Sequence, residues 1–255
     1  MIGQFTSGAR YVTRGFQLIT EPGIRRYVII PLLINFTLFG GAIWFGASRF
    51  EAFLDGLLPA WLEWARWILW PLFALTALLV VFYTFTLIAN LVGAPFNGLL
   101  AEKLEARLTG QTLPAQSWSH VFRAGIAAIL NELRKLRYLV VRTVPLLILF
   151  LIPGLNVFAP FAWLVFSAWM LALEYADAPM GNHDLAFRDG RRLMGRNKPL
   201  ALGFGSAVLL MTSVPVLNFF AMPVGVAGAT AMWVERLRGG AGAGTIRDAR
   251  NRLID

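Results

Sequence analysis

Four long stretches of the chain carry almost no charge, and polar segments separate them. Val28 to Ala47 holds no charged residue, and neither does Ile68 to Val92. A helix rises 1.5 Å per residue, so each run can cross a hydrocarbon core of about 30 Å. Spanning helices are predicted at 28–47 and 68–92. Pro31 falls in the first turn of the first run, where a missing N–H matters little. The loop between the runs holds Trp61, Trp64, Trp67 and Trp70. Tryptophan favours the membrane interface, which places this loop at the far surface.

The other two runs have a different design. Residues 139–173 and 200–234 are each 35 residues long, and the first carries one basic residue, Arg142. That is too long for one ordinary span and too short for two spans with a turn. The middles read Ile152-Pro153-Gly154-Leu155-Asn156-Val157-Phe158 and Val214-Pro215-Val216-Leu217-Asn218-Phe219-Phe220, with Pro160 and Pro223 beyond. Proline, glycine and asparagine together signal a turn. Each arm is then about 15 residues, or about 22 Å of helix. Two half-penetrating (re-entrant) hairpins follow. Irregular backbone at membrane depth needs protein or water around it, so the tips are expected to meet protein.

The polar segments read as helices too. Ile2, Phe5, Ala9, Val12, Phe16 and Ile19 recur at helical spacing, with Gln4, Arg10, Arg14 and Gln17 opposite. Residues 1–20 are an amphipathic helix, lying in the interface or docked on the rest of the protein. Over 93–138, Gly93 and Pro95 mark a break or kink. Leu100, Leu104 and Leu108 then share a face, Gly110 to Pro114 reads as a turn, and Trp118, Phe122, Ile126, Ile129, Leu133 and Leu136 form a second stripe. This predicts a cytoplasmic helical hairpin. Residues 239–255 begin with a glycine-rich stretch and read as a flexible tail, with a short helix from near Thr245. The whole is one membrane domain, 1–255, of the all-α class. No cleavable signal peptide is visible, and the first run is expected to remain as an anchor.

Composition agrees. The chain is 57% hydrophobic and 15% charged, against about 45–50% and 25% in soluble domains. The formal charge of +9 implies anionic lipid headgroups at one face. No basic stripe interleaved with aromatics lies outside the apolar runs, which argues against nucleic acid. With both hairpins re-entrant, 21 of the 23 basic residues share one side. By the positive-inside rule that side, with both termini, is cytoplasmic. There is no cysteine, so disulfides and thiolate chemistry are excluded.

Candidate chemistry is sparse. His120 and His183 lie far apart and read as surface residues. No P-loop pattern occurs, and no metal or cofactor is expected. The segment Glu21-Pro22-Gly23-Ile24-Arg25-Arg26 is the strongest site. Pro22 suits a helix start, which would leave the N–H groups of Gly23, Ile24 and Arg25 free. Free amides, a positive helix end and two arginines suit a tetrahedral oxyanion. The plainer reading is that Arg25 and Arg26 only anchor the span at the headgroups. Asn35, Asn90, Asn156 and Asn218 interrupt apolar runs, as helix glue or as a pathway lining. Arg142 either faces a pore or snorkels. Glu174 either pairs with an arginine at the interface, the reading preferred, or joins a carboxylate cluster for acid–base work.

Four stretches resemble the CysZ-type sulfate permeases of bacterial inner membranes. They are Gly23-Ile24-Arg25-Arg26; Ala94-Pro95-Phe96-Asn97 running into Ala101-Glu102-Lys103-Leu104-Glu105; Arg134-Lys135-Leu136-Arg137-Tyr138 leading to Pro145 and the 152–156 turn; and Glu174-Tyr175-Ala176-Asp177-Ala178-Pro179 with Asn182, Phe187 and Arg191. The resemblance implies channel-like, ATP-independent sulfate uptake for cysteine biosynthesis, and no enzyme activity. It implies two spanning helices, two half-penetrating hairpins and a homo-oligomer among membrane lipids. It also implies sulfate binding at Gly23, Ile24, Arg25 and Arg26. Asn35, Asn90, Asn156 and Asn218 would follow along the pathway, and Glu102 is a candidate gate paired with one of the arginines. The alternative is a membrane-shaping or scaffold protein whose hairpins act as wedges.

Overall fold

The computed structural model describes the backbone of residues 1–111 and 118–239, and side-chain surroundings for these except 60, 82–95 and 118–132. Among the described residues there is no strand. The helices are α1 (Ile2–Ile19), α2 (Arg26–Leu57), α3 (Arg66–Thr109), α4 (Trp118–Leu151), α5 (Ala159–Gly181), α6 (Phe187–Arg196), α7 (Lys198–Thr212), α8 (Pro215–Asn218) and α9 (Ala221–Met232), which ends in a π-turn, Trp233–Leu237.

Three helical stretches are long and apolar enough to cross a membrane: Arg26–Leu57, Trp61–Val81 and Asn156–Gly181. The first two correspond to the spans at 28–47 and 68–92. The third belongs to the first predicted hairpin. Its arm was expected to stop near residue 173, but α5 runs 23 residues to Gly181. Glu174 and Asp177 are tolerated there because the buried Lys135 Nζ lies 2.9 Å from Glu174 and 3.7 Å from Asp177. The partner of Glu174 is thus a lysine, not an arginine.

Residues 93–138 differ from expectation. Gly93 and Pro95 do not end a helix, since α3 continues for 44 residues to Thr109. Gly110, at φ +69°, then turns the chain, a conformation that suits glycine. Likewise α4 runs unbroken from Trp118 through residue 139 to Leu151. The polar helices are therefore continuous with apolar ones. The tail expected at 239–255 lies outside the described residues, apart from Gly239.

Contacts divide the chain into two compact units. One unit is Arg26–Phe96; the other joins Met1–Arg25 to the chain from Asn97 onward. In the first, α2 and α3 meet at their tryptophan end. Phe50 stacks on Phe73 with centroids 4.2 Å apart, Trp70 packs edge-on to both, and Asp55 pairs with Arg66. Trp61, Trp64 and Trp67 are exposed.

The second unit is built around α1, α5, α7 and α9. Backbone contact through small residues sets its packing. A Cβ on Gly8 would lie 2.1 Å from the Leu200 carbonyl oxygen, and one on Gly203 would lie 1.9 Å from that of Phe5. Gly15 meets Val224 and Gly228 meets Tyr11 in the same way, at 2.3 and 2.4 Å. So α1 lies against both arms of the second hairpin, α7 and α9, more intimately than these arms meet each other. This settles the place of α1: it is docked. Its buried face is Gly8, Tyr11, Val12, Gly15, Leu18 and Ile19, whereas Ile2 and Phe5, expected on that face, are exposed. Small-residue faces allow close helix approach where hydropathy gives no signal. The Tyr11 hydroxyl donates to Glu235 at 3.0 Å, and Arg14 pairs with the same carboxylate at 2.9 Å. Burial first, then Glu235, pushes the Tyr11 hydroxyl above its ordinary value.

Both predicted turns form and share one hydrogen-bond scheme. Asn156 N–H donates to the Ile152 carbonyl and Asn218 N–H to that of Val214, at 3.0 and 2.8 Å. Phe158 donates to Leu155, and Phe220 to Leu217, at 3.0 Å each. The first tip takes its reversal at Gly154, φ +83°. The second has Val216 there and forms the short α8 instead. In the first hairpin Trp169 Nε1 donates to the Tyr138 hydroxyl at 3.1 Å, and Phe150 meets Trp163 nearer the tip.

Candidate functional site

The chain leaves α1 through a tight turn before α2 begins. Glu21 carbonyl accepts from the N–H groups of both Ile24 and Arg25, at 3.1 and 3.2 Å. The expectation that these two amides are free is therefore wrong. Pro22 opens the turn, not the helix, and α2 starts four residues later at Arg26. The amides without intrahelical partners are those of the first turn of α2. Gly23 has φ +86°, and a side chain added there would meet nothing within 4 Å. Glycine is thus required by the backbone and leaves open space beside it. Ile24 is buried and anchors the turn.

The turn is clamped from the end of α3. Arg107 Nε lies 2.7 Å from Glu21, and an Arg107 terminal nitrogen donates to the Pro22 carbonyl at 3.3 Å. The Glu21 charge, which would oppose an anion beside Gly23, is thus taken by Arg107. Arg25 is exposed, and no carboxylate pairs with it among the described residues. Arg26 stacks over the Tyr27 ring at 5.0 Å and donates to the Tyr27 hydroxyl at 3.2 Å. A stacked guanidinium keeps its remaining donors for an anion.

The other sequence candidates do not gather. Asn35 lies within α2, and its Oδ1 is buried without a hydrogen-bond partner. Asn90 lies in α3, and its side chain falls outside the described residues, as does that of His120. Asn156 and Asn218 sit at the two hairpin tips and are exposed. Glu102 pairs with its neighbour Lys103 at 3.0 Å. Among the described residues no arginine is paired with Glu102.

Sequence reasoning missed the most enclosed charged cluster. Glu105 is 2% exposed, yet His183 Nε2 lies 2.8 and 2.9 Å from its two oxygens and Arg238 lies 3.7 Å away. The His183 ring also packs on Trp233 at 5.2 Å. Asn182, beside His183, donates to the Gly98 carbonyl at 3.0 Å. His183 is thus not a plain surface residue. It reaches Glu105 across 78 positions of sequence, and Arg238 comes from the last described turn. No local spacing could have linked them. The only hint was the density of polar residues in the 174–182 segment.

The family model for "Sulfate transporter CysZ/Etoposide-induced protein 2.4" matches residues 11–223. The chain is similar to the sulfate transporter CysZ of Pectobacterium atrosepticum, 45% identical over 236 residues, covering 91% of this chain and 86% of that protein. It is equally similar to the sulfate transporter CysZ of Salmonella typhimurium, 45% identical over 233 residues, covering 90% and 92%. The chain belongs to the family that this model describes.

Proposed function

We propose that this member of the CysZ/etoposide-induced protein 2.4 family carries sulfate across the bacterial inner membrane, feeding cysteine biosynthesis. The relatives' shared name and the extent of the match support the substrate. The turn before α2 supports a sulfate-binding point at the cytoplasmic mouth of the route. Its carrying observation is that Arg107 neutralises Glu21 while Arg25 keeps its charge unpaired among the described residues.

The mechanism follows from those groups. Sulfate crossing the membrane is drawn towards the basic cytoplasmic face by long-range attraction. Arg25, Arg26 and the first amides of α2 then receive its oxygens at the positive end of the helix dipole. Binding must stay modest, because a conducted ion has to leave. The route to this turn runs along α2 past Asn35, whose buried unpartnered oxygen suits a polar contact with the passing ion. No step uses ATP. Both hairpins re-enter from the cytoplasmic side, which also holds the termini, and several copies are needed to enclose a pore.

Uptake of labelled sulfate into proteoliposomes tests the function. Accumulation above empty liposomes, saturable and reduced by unlabelled sulfate, is expected. Well-inserted protein that gives none would sink the permease reading.

A further inference from the structure

The arginines around Tyr138 are left without a task by the sulfate route. Arg142 of α4 and Arg191 of α6 both lie over the Tyr138 ring, at 5.7 and 4.7 Å from its centroid. The ring itself is fixed: Trp169 donates to its hydroxyl, and Phe187 packs against it at 5.9 Å. Arg137 and Arg188 line the same cavity, which has a volume of about 680 Å³. Among the described residues no carboxylate pairs with Arg137, Arg142, Arg188 or Arg191, and the one acidic residue lining this cavity, Asp189, lies 3.8 Å from Arg192. Holding two guanidiniums over one ring brings like charges together, and cation–π attraction offsets only part of that. An anion between them would satisfy both.

The second half of the feature is apolar. Tyr138, Arg142 and Arg191 also border a neighbouring cavity of about 840 Å³ between α4, α5 and α7. Beyond the arginines its walls are Pro145 and Leu146 of α4, Phe161, Val165 and Phe166 of α5, and Leu202 of α7. It runs along the first hairpin from the charged mouth towards the tip. From Trp169 to Phe161 the wall extends about 12 Å at helical rise. Lys198 adds a further cation at the rim.

A small oxyanion would use the arginines and leave this groove empty of purpose. A nucleic acid would not need an apolar trench. We infer that the site takes an anionic phospholipid. Its phosphate lies beside Tyr138 within reach of Arg142 and Arg191, with Arg137 and Arg188 lining the space for the hydroxyls of the headgroup. One acyl chain follows the groove past Pro145, Val165 and Phe166. Basic pockets between membrane helices recognise lipid headgroups by this combination, and the fork of arginine suits a phosphate. A zwitterionic lipid would bring its own cation among these arginines and be repelled there. Tyr138 acts as a positioning residue. The inference is independent of sulfate binding at Arg25 and Arg26.

The test uses delipidated full-length protein in detergent, titrated with phosphatidylglycerol or phosphatidylcholine, with bound lipid counted by native mass spectrometry. About one phosphatidylglycerol per chain should bind, and phosphatidylcholine should not compete. Arg142→Ala with Arg191→Ala should weaken phosphatidylglycerol tenfold or more, while Arg10→Ala, exposed on α1, leaves it unchanged. The Arg142→Lys, Arg191→Lys pair should recover part of the binding, which separates lost charge from lost folding. Equal binding of the two lipids would overturn the proposal, as would undiminished binding by the alanine pair. Displacement of the lipid by millimolar inorganic sulfate would overturn it too, by marking a free-anion site.

Discussion

Arg107 holds Glu21 at 2.7 Å and so ties the turn before α2 to the end of α3. Both side chains are at least one-third exposed, or nearly so. Pairs of that kind add little stability, about 1 kcal/mol or less. The contact matters instead because it removes the one carboxylate beside Gly23 and braces the backbone carrying Arg25.

Arg107→Ala should therefore barely move the thermal midpoint but weaken sulfate uptake severalfold, chiefly by raising KM. Adding Glu21→Ala should restore part of the uptake, because the freed carboxylate no longer faces the anion. A double variant no better than Arg107→Ala alone would show that Glu21 does not oppose sulfate.

The buried Glu105 should behave in the opposite way. It is a structural centre with His183 and Arg238 converging on it. Hydrogen bonds to a charged group contribute about 1.5–3 kcal/mol, and unpaired partners cost more. Glu105→Ala should destabilise by about 2 kcal/mol or more, read as a lower unfolding temperature in detergent. An unchanged midpoint would contradict this.

The glycine contacts of α1 give a steric prediction. At Gly203 an added Cβ would sit 1.9 Å from the Phe5 carbonyl oxygen, which backbone cannot yield without displacing α1. Gly203→Ala should destabilise by about 1–3 kcal/mol, as overpacking generally does. Gly3→Ala meets nothing within 4 Å and should be neutral or slightly stabilising. Equal effects of the two changes on the unfolding temperature would refute this packing.

Much of the fold was legible because apolar length and turn chemistry are local. The uncharged runs foretold α2 and the start of α3, and the Pro-x-Leu-Asn match foretold two tips with the same hydrogen bonds. The face of α1 was not legible, because Gly8 and Gly15 carry no hydropathy and their partners lie near residues 200 and 224. The end of α5 was hidden for a related reason. Glu174 and Asp177 read as the close of an apolar arm, yet Lys135 on α4 allows the helix to continue. At the site, Gly23 to Arg26 stood out by residue type. The hydrogen bonds to the Glu21 carbonyl and the clamp from Arg107 did not, and neither did the pairing of Glu105 with His183.

The most direct measurement is labelled sulfate uptake into proteoliposomes by wild type, Arg25→Ala and Arg26→Ala, with insertion and melting checked for each. A charge-assisted contact to the anion makes each loss about tenfold or more, so both variants should fall by that factor while remaining folded. Variants that stay folded and transport like wild type would contradict sulfate binding at the start of the first spanning helix.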